Sequence, residues 1–182
     1  MNDTTKPRIG YIGLGNMGKP MAMRFVQEGY PLTTWARKPE RASDLAAAGA
    51  ALVASPGEVA AASDFVFTCV TDTSAVRELV FGDHGISGGG GPGKIMIDMS
   101  SREPAATGEM AARLTQETGM GWVDAPVSGG PAACAAGTLT VMAGGTEEDF
   151  AIAEPVIREL AGRLTWMGPS GAGQATKLVN QT

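Results

Sequence analysis

The sequence predicts an α/β protein built on a doubly wound, mostly parallel β-sheet. Short apolar stretches rich in β-branched residues alternate with alanine-rich, helix-forming stretches along the 182 residues of the chain. This alternation is typical of successive βαβ units, in which helices cover both faces of a parallel sheet. One stretch, residues 64–70, is apolar on both faces, which favours a central strand. A glycine-rich turn directly follows the first apolar stretch and leads into the first expected helix.

The expected elements are separated by clear glycine and proline breaks. We expect strands at residues 8–12, 32–36, 49–53, 64–70, 94–99, 121–124, 138–143 and 164–167. We expect helices at residues 17–27, 39–48, 55–62, 73–81, 104–118 and 146–160. Residues 1–169 would then form one domain, and residues 170–182 would begin a further helix that is truncated after the break at 168–173. Because so few residues remain in this last helix, we expect its end to be frayed.

Composition excludes several classes of protein. The formal net charge is −5 and the basic residues do not cluster beyond Arg37 and Lys38, so we expect no nucleic-acid partner. No apolar run approaches the roughly 18 residues of a membrane span. The polar start Met1–Pro7 lacks the pattern of a secretory signal, so we expect a cytoplasmic protein. Two cysteines and one histidine provide neither a disulfide framework nor a metal-ligand pattern.

The turn after the first strand predicts a dinucleotide site. Its glycines are spaced as G-x-G-x-x-G. Gly13 permits a tight turn, Gly15 lets the backbone approach a pyrophosphate, and Gly18 lets the helix pack close to the strand. The free N–H groups and the positive end of the following helix suit an anion. The residues assigned to this site are Gly13, Leu14, Gly15, Asn16, Met17 and Gly18.

The end of the second expected strand indicates which nicotinamide cofactor would bind. Arg37 and Lys38 lie there, and no acidic residue does. An acidic residue at this position accepts hydrogen bonds from a free ribose 2′-hydroxyl, whereas arginine suits a 2′-phosphate. We therefore expect NADP, with NAD as the second choice. The alternative is that the two residues are a solvated loop pair.

Loops at the carboxyl edge of the expected sheet supply further candidates. Val70 and Thr71 follow the fourth strand at the edge that also carries the glycine turn, so they would line the cofactor channel. Ser128, Gly129 and Gly130 form an expected strand-end loop that offers a hydroxyl and open backbone N–H groups. Such a loop suits a substrate carboxylate, although a simple turn is the alternative.

A lysine near the end of the chain is the remaining candidate. Lys177 follows a cluster of breaker residues, and at such a position a lysine is ordinarily a solvated surface charge. Asn180 and Gln181 come three and four residues later. At this spacing all three side chains can project from one helix face.

Five stretches together resemble the β-hydroxyacid dehydrogenase family, which includes 3-hydroxyisobutyrate dehydrogenase and tartronate semialdehyde reductase. They read GLGNMG at 13–18, DMSS at 98–101, DAPVSGG at 124–130, GTLTVMAGG at 137–145 and GAGQATKLVNQ at 171–181. The resemblance spans essentially the whole chain. It implies a Rossmann-type fold and hydride transfer between a nicotinamide cofactor and a small carboxylate substrate, either a hydroxyacid or a semialdehyde.

The resemblance also implies roles for particular residues. The family uses the lysine at the position of Lys177 as proton donor and acceptor. Ser128, with the N–H groups of the two glycines after it, would anchor the substrate carboxylate. Asn180 would orient the reacting oxygen, and Gln181 could assist or replace it. Ser101 would lie close to the nicotinamide ribose.

Enzymes of this family continue into an all-helical domain that closes the substrate cleft and builds the dimer. No such domain follows before Thr182. We therefore expect cofactor binding but little turnover by this chain alone, and a homo-oligomer for the full-length protein.

Other functions are open at this point. One is a cofactor-binding module without turnover, and others are relatives of 6-phosphogluconate dehydrogenase or of imine reductases. The residues around Lys177 lack the aromatic and histidine pattern of the former. Imine reductases generally carry Asp or Tyr at that position. Arg24 departs from the asparagine that the family commonly has in the first helix.

Overall fold

The computed structural model describes residues 5–181. Residues 1–4, the first part of the polar start Met1–Pro7, and the final residue Thr182 lie outside the described residues. The strands are β1 (Ile9–Ile12), β2 (Leu32–Trp35), β3 (Ala51–Leu52), β4 (Phe65–Thr68), β5 (Ile95–Asp98), β6 (Gly121–Asp124), β7 (Val127–Ser128), β8 (Leu139–Gly144) and β9 (Ala161–Gly168). The helices are α1 (Gly18–Gln27), α2 (Ser43–Ala47), α3 (Pro56–Ala61), α4 (Thr73–Phe81), α5 (Pro104–Thr118), α6 (Pro131–Ala136), α7 (Glu147–Arg158) and α8 (Ala172–Asn180).

All nine strands of the described residues join one sheet. Its order is β3-β2-β1-β4-β5-β6-β8-β7, and β9 pairs with β8 outside this path. The strands β1 to β6 are mutually parallel, and the chain reverses its direction of winding between β1 and β4. The predicted doubly wound, mostly parallel sheet is therefore confirmed. The strands β6 and β7 run antiparallel to β8, whereas β9 runs parallel to it.

Some boundaries predicted from the sequence were wrong. The strand β7 and the helix α6 were missed, and Ser128, expected in a loop, lies in β7. A strand of two residues has no local periodicity, and β7 exists because it pairs with β8 further along the chain. In place of the single helix expected at residues 39–48, the chain forms a 3₁₀ turn at Pro39–Ala42 followed by α2. The strand β3 is shorter than expected, and β9 is longer.

Apolar side chains fill the space on both faces of the sheet. On one face, Met21 and Phe25 of α1 join residues of α7 over the central strands. On the other face, side chains of α3, α4 and α5 pack around Val66 and Met96. The aromatic ring of Phe25 lies 4.9 Å from that of Phe67 in β4. This double-sided burial explains why β1, β4 and β5 are almost continuously apolar.

The strand register aligns the carboxyl ends of the parallel strands in one row. Ile12 of β1 pairs with Thr68 of β4, Thr68 with Asp98 of β5, and Asp98 with Asp124 of β6. Asp124 in turn pairs with Gly144, the last residue of β8. The glycine turn, the loop after β4 and the loop after β5 therefore leave the sheet at the same edge. Ligands of open α/β sheets bind at this edge, next to the point where the strand order reverses.

Candidate functional site

The glycine turn has the geometry that its three glycines predict. Gly13 adopts φ of +101°, and a Cβ there would overlap the carbonyl oxygen of Cys69. A Cβ at Gly18 would overlap the carbonyl oxygen of Gly13 and lie 3.3 Å from the Tyr11 ring, so this glycine lets α1 pack against the turn. By contrast, a Cβ at Gly15 would meet nothing within 4 Å. Gly15 thus opens onto free space, where a side chain would obstruct a ligand rather than the fold.

The start of α1 lies beside this turn, where the N–H of Lys19 donates to the carbonyl oxygen of Gly15 at 3.0 Å and Pro20 has no N–H. Met17 precedes the helix and makes no side-chain capping hydrogen bond, and the first turn holds no acidic residue. The N–H groups at the start of an α-helix have no partner within the helix, and they carry the positive end of its dipole. This arrangement favours an anion such as a pyrophosphate.

A cleft of about 630 Å³ extends from the glycine turn across the carboxyl edge of the sheet. Predicted cofactor residues contribute much of its wall. They are Gly13, Leu14, Gly15, Arg37, Lys38, Val70 and Thr71. A second cavity of about 470 Å³ is lined by Asn16 together with Leu14 and Gly15. Met17, Gly18 and Ser101 line neither cavity among the residues that the structure describes there.

The sequence analysis missed Arg41, which lines both cavities. Arg41 lies on the 3₁₀ turn that follows β2, four residues after Arg37. Its exposed guanidinium adds a third positive charge to the wall that Arg37 and Lys38 form. The turn brings Arg41 back toward the glycine corner, and the basic spacing Arg37-x-x-x-Arg41 was the available signal.

Hydrogen bonds tie the loop after β4 to the loop after β5. The N–H of Val70 donates to Ser100 Oγ at 2.9 Å, and the N–H of Ser100 donates to Asp98 Oδ1 at 3.1 Å. Thr68 Oγ1 donates to the same carboxylate oxygen at 2.9 Å. Ser101, the next residue, is exposed at this edge.

Cys69 lies in the cleft wall but is a poor nucleophile. Burial raises the pKa of its thiol to about 11, and the nearby Cys134 adds to that shift. The thiolate is the reactive form of cysteine. Cys69 is therefore protonated at neutral pH and contributes apolar surface to the cleft.

Ser128 lies on a part of the sheet that extends past the carboxyl ends of β5 and β6. It pairs with Thr140 of β8, and directly opposed residues on paired strands point to the same face. Val127, one residue earlier, packs on the cluster formed with α1 and α7, so Ser128 points to the opposite face. Ser128, Gly129 and Gly130 are exposed, and Gly129 has φ of +139°.

The helix α8 covers this same face of the sheet. A Cβ at Gly173 would overlap the carbonyl oxygen of Met142 in β8, and Asn180 Nδ2 lies 3.4 Å from Met142 Sδ. Lys177 lies between these positions at helical spacing and is half-buried, so it belongs to the side of α8 that packs on β8. Gln181 follows the helix and is exposed.

The structure thus groups the predicted residues in two places along one edge. The glycine turn, Arg37, Lys38, Val70 and Thr71 surround the cleft. Ser128 and Lys177 lie on the face of the sheet extension that α8 covers, and neither lines the two cavities of the described residues. In residues 5–181, no group of three or more His, Cys, Asp or Glu side chains could hold a metal ion. No helix of that part of the chain is long and apolar enough to cross a membrane.

An open glycine turn, a helix start without a capping side chain and a basic wall at the end of β2 define a dinucleotide-binding Rossmann domain. The residues present fit such a cofactor, because the space in front of Gly15 is where its pyrophosphate would lie.

Comparison with known proteins identifies the family. A family model described as the NAD binding domain of 6-phosphogluconate dehydrogenase matches residues 8–168. The chain belongs to this family, as an N-terminal domain of the β-hydroxyacid dehydrogenase type, and the resemblance seen in the sequence is confirmed. It is 41% identical over 179 residues to the probable 3-hydroxyisobutyrate dehydrogenase-like 3, mitochondrial, of Arabidopsis thaliana. It is 39% identical over 174 residues to 2-hydroxy-3-oxopropionate reductase of Escherichia coli K12.

The chain spans little more than half the length of these relatives. The matches cover 98% of this chain but 56% of the Arabidopsis protein, and 96% of this chain but 59% of the Escherichia coli protein.

Solved structures show the same fold with ligands. The Mycobacterium tuberculosis 3-hydroxyisobutyrate dehydrogenase with L-serine has a TM-score of 0.89 and 35% identity, over 96% of this chain and 59% of that one. Psf3 in complex with NADP⁺ and 2-OPP has a TM-score of 0.89 and 26% identity, over 94% of this chain and 61% of that one.

Proposed function

We propose that this chain is the cofactor-binding half of an NADP-dependent oxidoreductase. The reaction would transfer hydride between nicotinamide and a small hydroxyacid or semialdehyde, of the 3-hydroxyisobutyrate or tartronate semialdehyde type. The observation that carries the proposal is a single cleft lined by the open Gly15 and by the basic residues after β2. The names of the relatives support the reaction class, since one is a 3-hydroxyisobutyrate dehydrogenase-like protein and another is a 2-hydroxy-3-oxopropionate reductase.

The basic wall supports NADP over NAD. The backbone at Gly15 and the first turn of α1 would hold the pyrophosphate. Arg37, Lys38 and Arg41 would surround a ribose 2′-phosphate. The end of β2 has no carboxylate to accept hydrogen bonds from a free 2′-hydroxyl, and the acidic residues of the cleft, Glu78 and Asp83, come from α4 and the loop after it. Guanidinium groups suit this task because they remain charged and can donate two parallel hydrogen bonds to phosphate.

The second group of residues would handle the substrate. Ser128 Oγ and the N–H groups of the two glycines after it would hold the carboxylate. The ammonium of Lys177 would give a proton to the carbonyl oxygen during reduction and take it back during oxidation, while Asn180 and Gln181 orient that oxygen. The nicotinamide, when bound, supplies or accepts the hydride. The shared face of Ser128 and α8, and the half-burial of Lys177, support these assignments.

The organisation of the whole protein is part of the proposal. Residues 1–169 would form the cofactor domain, and residues 170–182 would begin the helix that connects it to a helical domain. That domain would close the substrate cleft and build a homo-oligomer. We also propose a cytoplasmic location, although the Arabidopsis relative is named as mitochondrial.

Replacing Arg37 with alanine tests the cofactor assignment. Because a charge-assisted hydrogen bond contributes about 1.5–3 kcal/mol, Arg37→Ala should weaken NADPH binding about 10- to 100-fold. It should leave NADH binding within about twofold, since NADH has no 2′-phosphate. Fluorescence titration of both cofactors measures the two affinities, and Arg77→Ala, on the exposed side of α4, is the control. Equal affinity for the two cofactors in the parent chain, or tighter NADH binding, would remove the NADP assignment.

Replacing Lys177 tests the proton-transfer role. The assay compares this chain with a longer form that carries a helical domain after residue 182, using small hydroxyacids with NADP⁺. We expect both forms to bind cofactor and only the longer form to turn over at a useful rate. In the longer form, Lys177→Met should lower kcat by about 10²- to 10⁴-fold without changing the Kd of NADPH. Robust turnover by the 182-residue chain would contradict the first expectation. Absence of turnover from the longer form would favour a binding module.

A further inference from the structure

The helix α8 has no capping side chain of its own. Its N-cap residue is Gly171, with φ of 94°. Asp124, at the end of β6, supplies the missing acceptor from elsewhere in the chain. Its Oδ1 accepts the N–H of Gly171 at 2.8 Å, and its Oδ2 accepts the N–H of Gln174 at 3.1 Å. Gln174 is the third residue of α8, whose N–H an N-cap side chain normally satisfies. Asp124 therefore caps α8 through a tertiary contact.

Gln174 forms a second attachment between α8 and the sheet. Its side chain is fully buried. Its Nε2 donates to the carbonyl oxygen of Ser100 at 2.6 Å, and its Oε1 accepts the N–H of Arg102 at 2.9 Å. The amide is thus bonded at both ends to the loop after β5. Ser100 also accepts the N–H of Val70, which lines the cleft, so hydrogen bonds run continuously from the cleft wall to α8.

Buried charged groups lie beside this junction. Arg102 forms an ion pair with Asp98, and both side chains are fully shielded from solvent. The guanidinium also lies 5.7 Å from the ring of Trp122. Burial raises the pKa of Asp124, while hydrogen bonds from Gly171 and Gln174 act in the opposite direction. A buried carboxylate needs a charged or hydrogen-bonding partner. Arg102 is the partner of Asp98, and the N–H groups at the start of α8 are the partners of Asp124.

The contacts of Asp124 and Gln174 also affect the position of Lys177, which lies one helical turn after Gln174. Two glycines make close contact between α8 and the sheet feasible, since a Cβ at Gly144 or at Gly173 would crowd the Asp124 carboxylate. We propose that Asp124 and Gln174 are positioning residues that fix the start of α8, and hence the ammonium of Lys177, relative to the cofactor cleft. This inference rests on the proposed function, which assigns proton transfer to Lys177.

Gln174→Met in the 182-residue chain tests the proposal. Methionine keeps the length and helix propensity of glutamine but removes both hydrogen bonds of the side chain. We expect the backbone N–H groups of residues 173–179 to exchange with solvent about tenfold faster. We also expect acetic anhydride to acetylate Lys177 about threefold faster relative to Lys38, as followed by mass spectrometry. Gln116→Met, on the exposed face of α5, is the matched control and should change neither rate.

The effect of cofactor binding on hydrogen exchange in α8 distinguishes a positioning role from a purely structural one. In the parent chain, NADPH should slow exchange along α8, because the bonds from Val70 through Ser100 to Gln174 transmit order from the cleft. In Gln174→Met this response should disappear while the Kd of NADPH stays within about twofold. A variant that keeps both the parent exchange rates and the NADPH response would overturn the proposal.

Hydrogen exchange and NADPH binding of the parent chain also test the proposal. In the parent chain, the N–H groups of Gly171 and Gln174 should exchange as slowly as those of β6, although N–H groups at a helix start are ordinarily unprotected. Unprotected rates at these two residues would refute the inference even if Gln174→Met does not fold. Absence of NADPH binding to the parent chain would refute the proposed function. The exchange and acetylation rates measured without cofactor would then still decide the positioning role.

Discussion

Replacing Gly15 with valine is expected to weaken NADPH binding by about 100-fold or more. The fold itself tolerates a side chain at this position, because a Cβ there meets nothing within 4 Å and the residue does not have a positive φ. The isopropyl group would instead occupy the space through which a pyrophosphate approaches the backbone. Fluorescence titration with NADPH measures the loss, and urea unfolding should show a free energy within about 0.5 kcal/mol of the parent.

Gly91→Val is the matched control for this experiment. A Cβ at Gly91 would also meet nothing within 4 Å, and Gly91 lies away from both cavities. The substitution should change neither the affinity nor the stability. If Gly15→Val bound NADPH as tightly as the parent chain, the glycine turn would not be the pyrophosphate site.

Replacing Arg102 with methionine is expected to lower the free energy of unfolding by about 3–5 kcal/mol. Asp98 would keep its hydrogen bonds from Thr68 and Ser100 but would lose the only cation paired with it in the described chain. A buried carboxylate without its counter-ion is costly because water cannot solvate it. Urea unfolding followed by circular dichroism measures the change.

Arg113→Met is the control, since Arg113 also forms an ion pair with a carboxylate four residues away. That pair, with Glu117, has an N–O distance of 2.7 Å but is exposed on both sides, at 49% and 44%. The Arg113 guanidinium also lies 4.0 Å from the centre of the Phe81 ring, so its loss should cost about 0.5–1.5 kcal/mol, still well below the loss expected for Arg102→Met. Adding Asp98→Asn to Arg102→Met should recover part of the lost stability, because the neutral amide needs no counter-ion. Similar losses of unfolding free energy for Arg102→Met and Arg113→Met would show that the buried ion pair contributes no more to stability than the exposed one.

The geometry around the candidate cofactor cleft was largely predictable because it depends on local features of the chain. The strand, the turn and the helix around Gly13–Gly18 are contiguous, and each glycine has a conformational reason that short-range geometry supplies. Arg37 and Lys38 could be placed because parallel strands bring their carboxyl ends to one edge. Arg41 was missed because its position depends on a 3₁₀ turn, where a longer α-helix was expected.

The attachment of α8 to the sheet depends on contacts between distant segments of the chain. Arg102 had no assigned role in the sequence, where it reads as an ordinary basic residue at the start of a helix. In the structure its backbone N–H meets the side chain of Gln174, 72 residues away, and its guanidinium is buried beside Asp98. The contact between Asp124 and α8 spans 50 residues. The periodicity of apolar residues in the sequence gives no sign of such long-range contacts.

By itself, the sequence determined the alternation of strands and helices, the glycine turn and the basic end of β2. These features follow from side-chain period and backbone freedom, which act over a few residues. Only the tertiary structure decided that Ser128 lies in a strand, that Arg102 is buried and that Asp124 caps α8. These outcomes arise because burial and hydrogen-bond satisfaction are settled by which segments pack together, and folding makes those choices for the whole chain at once.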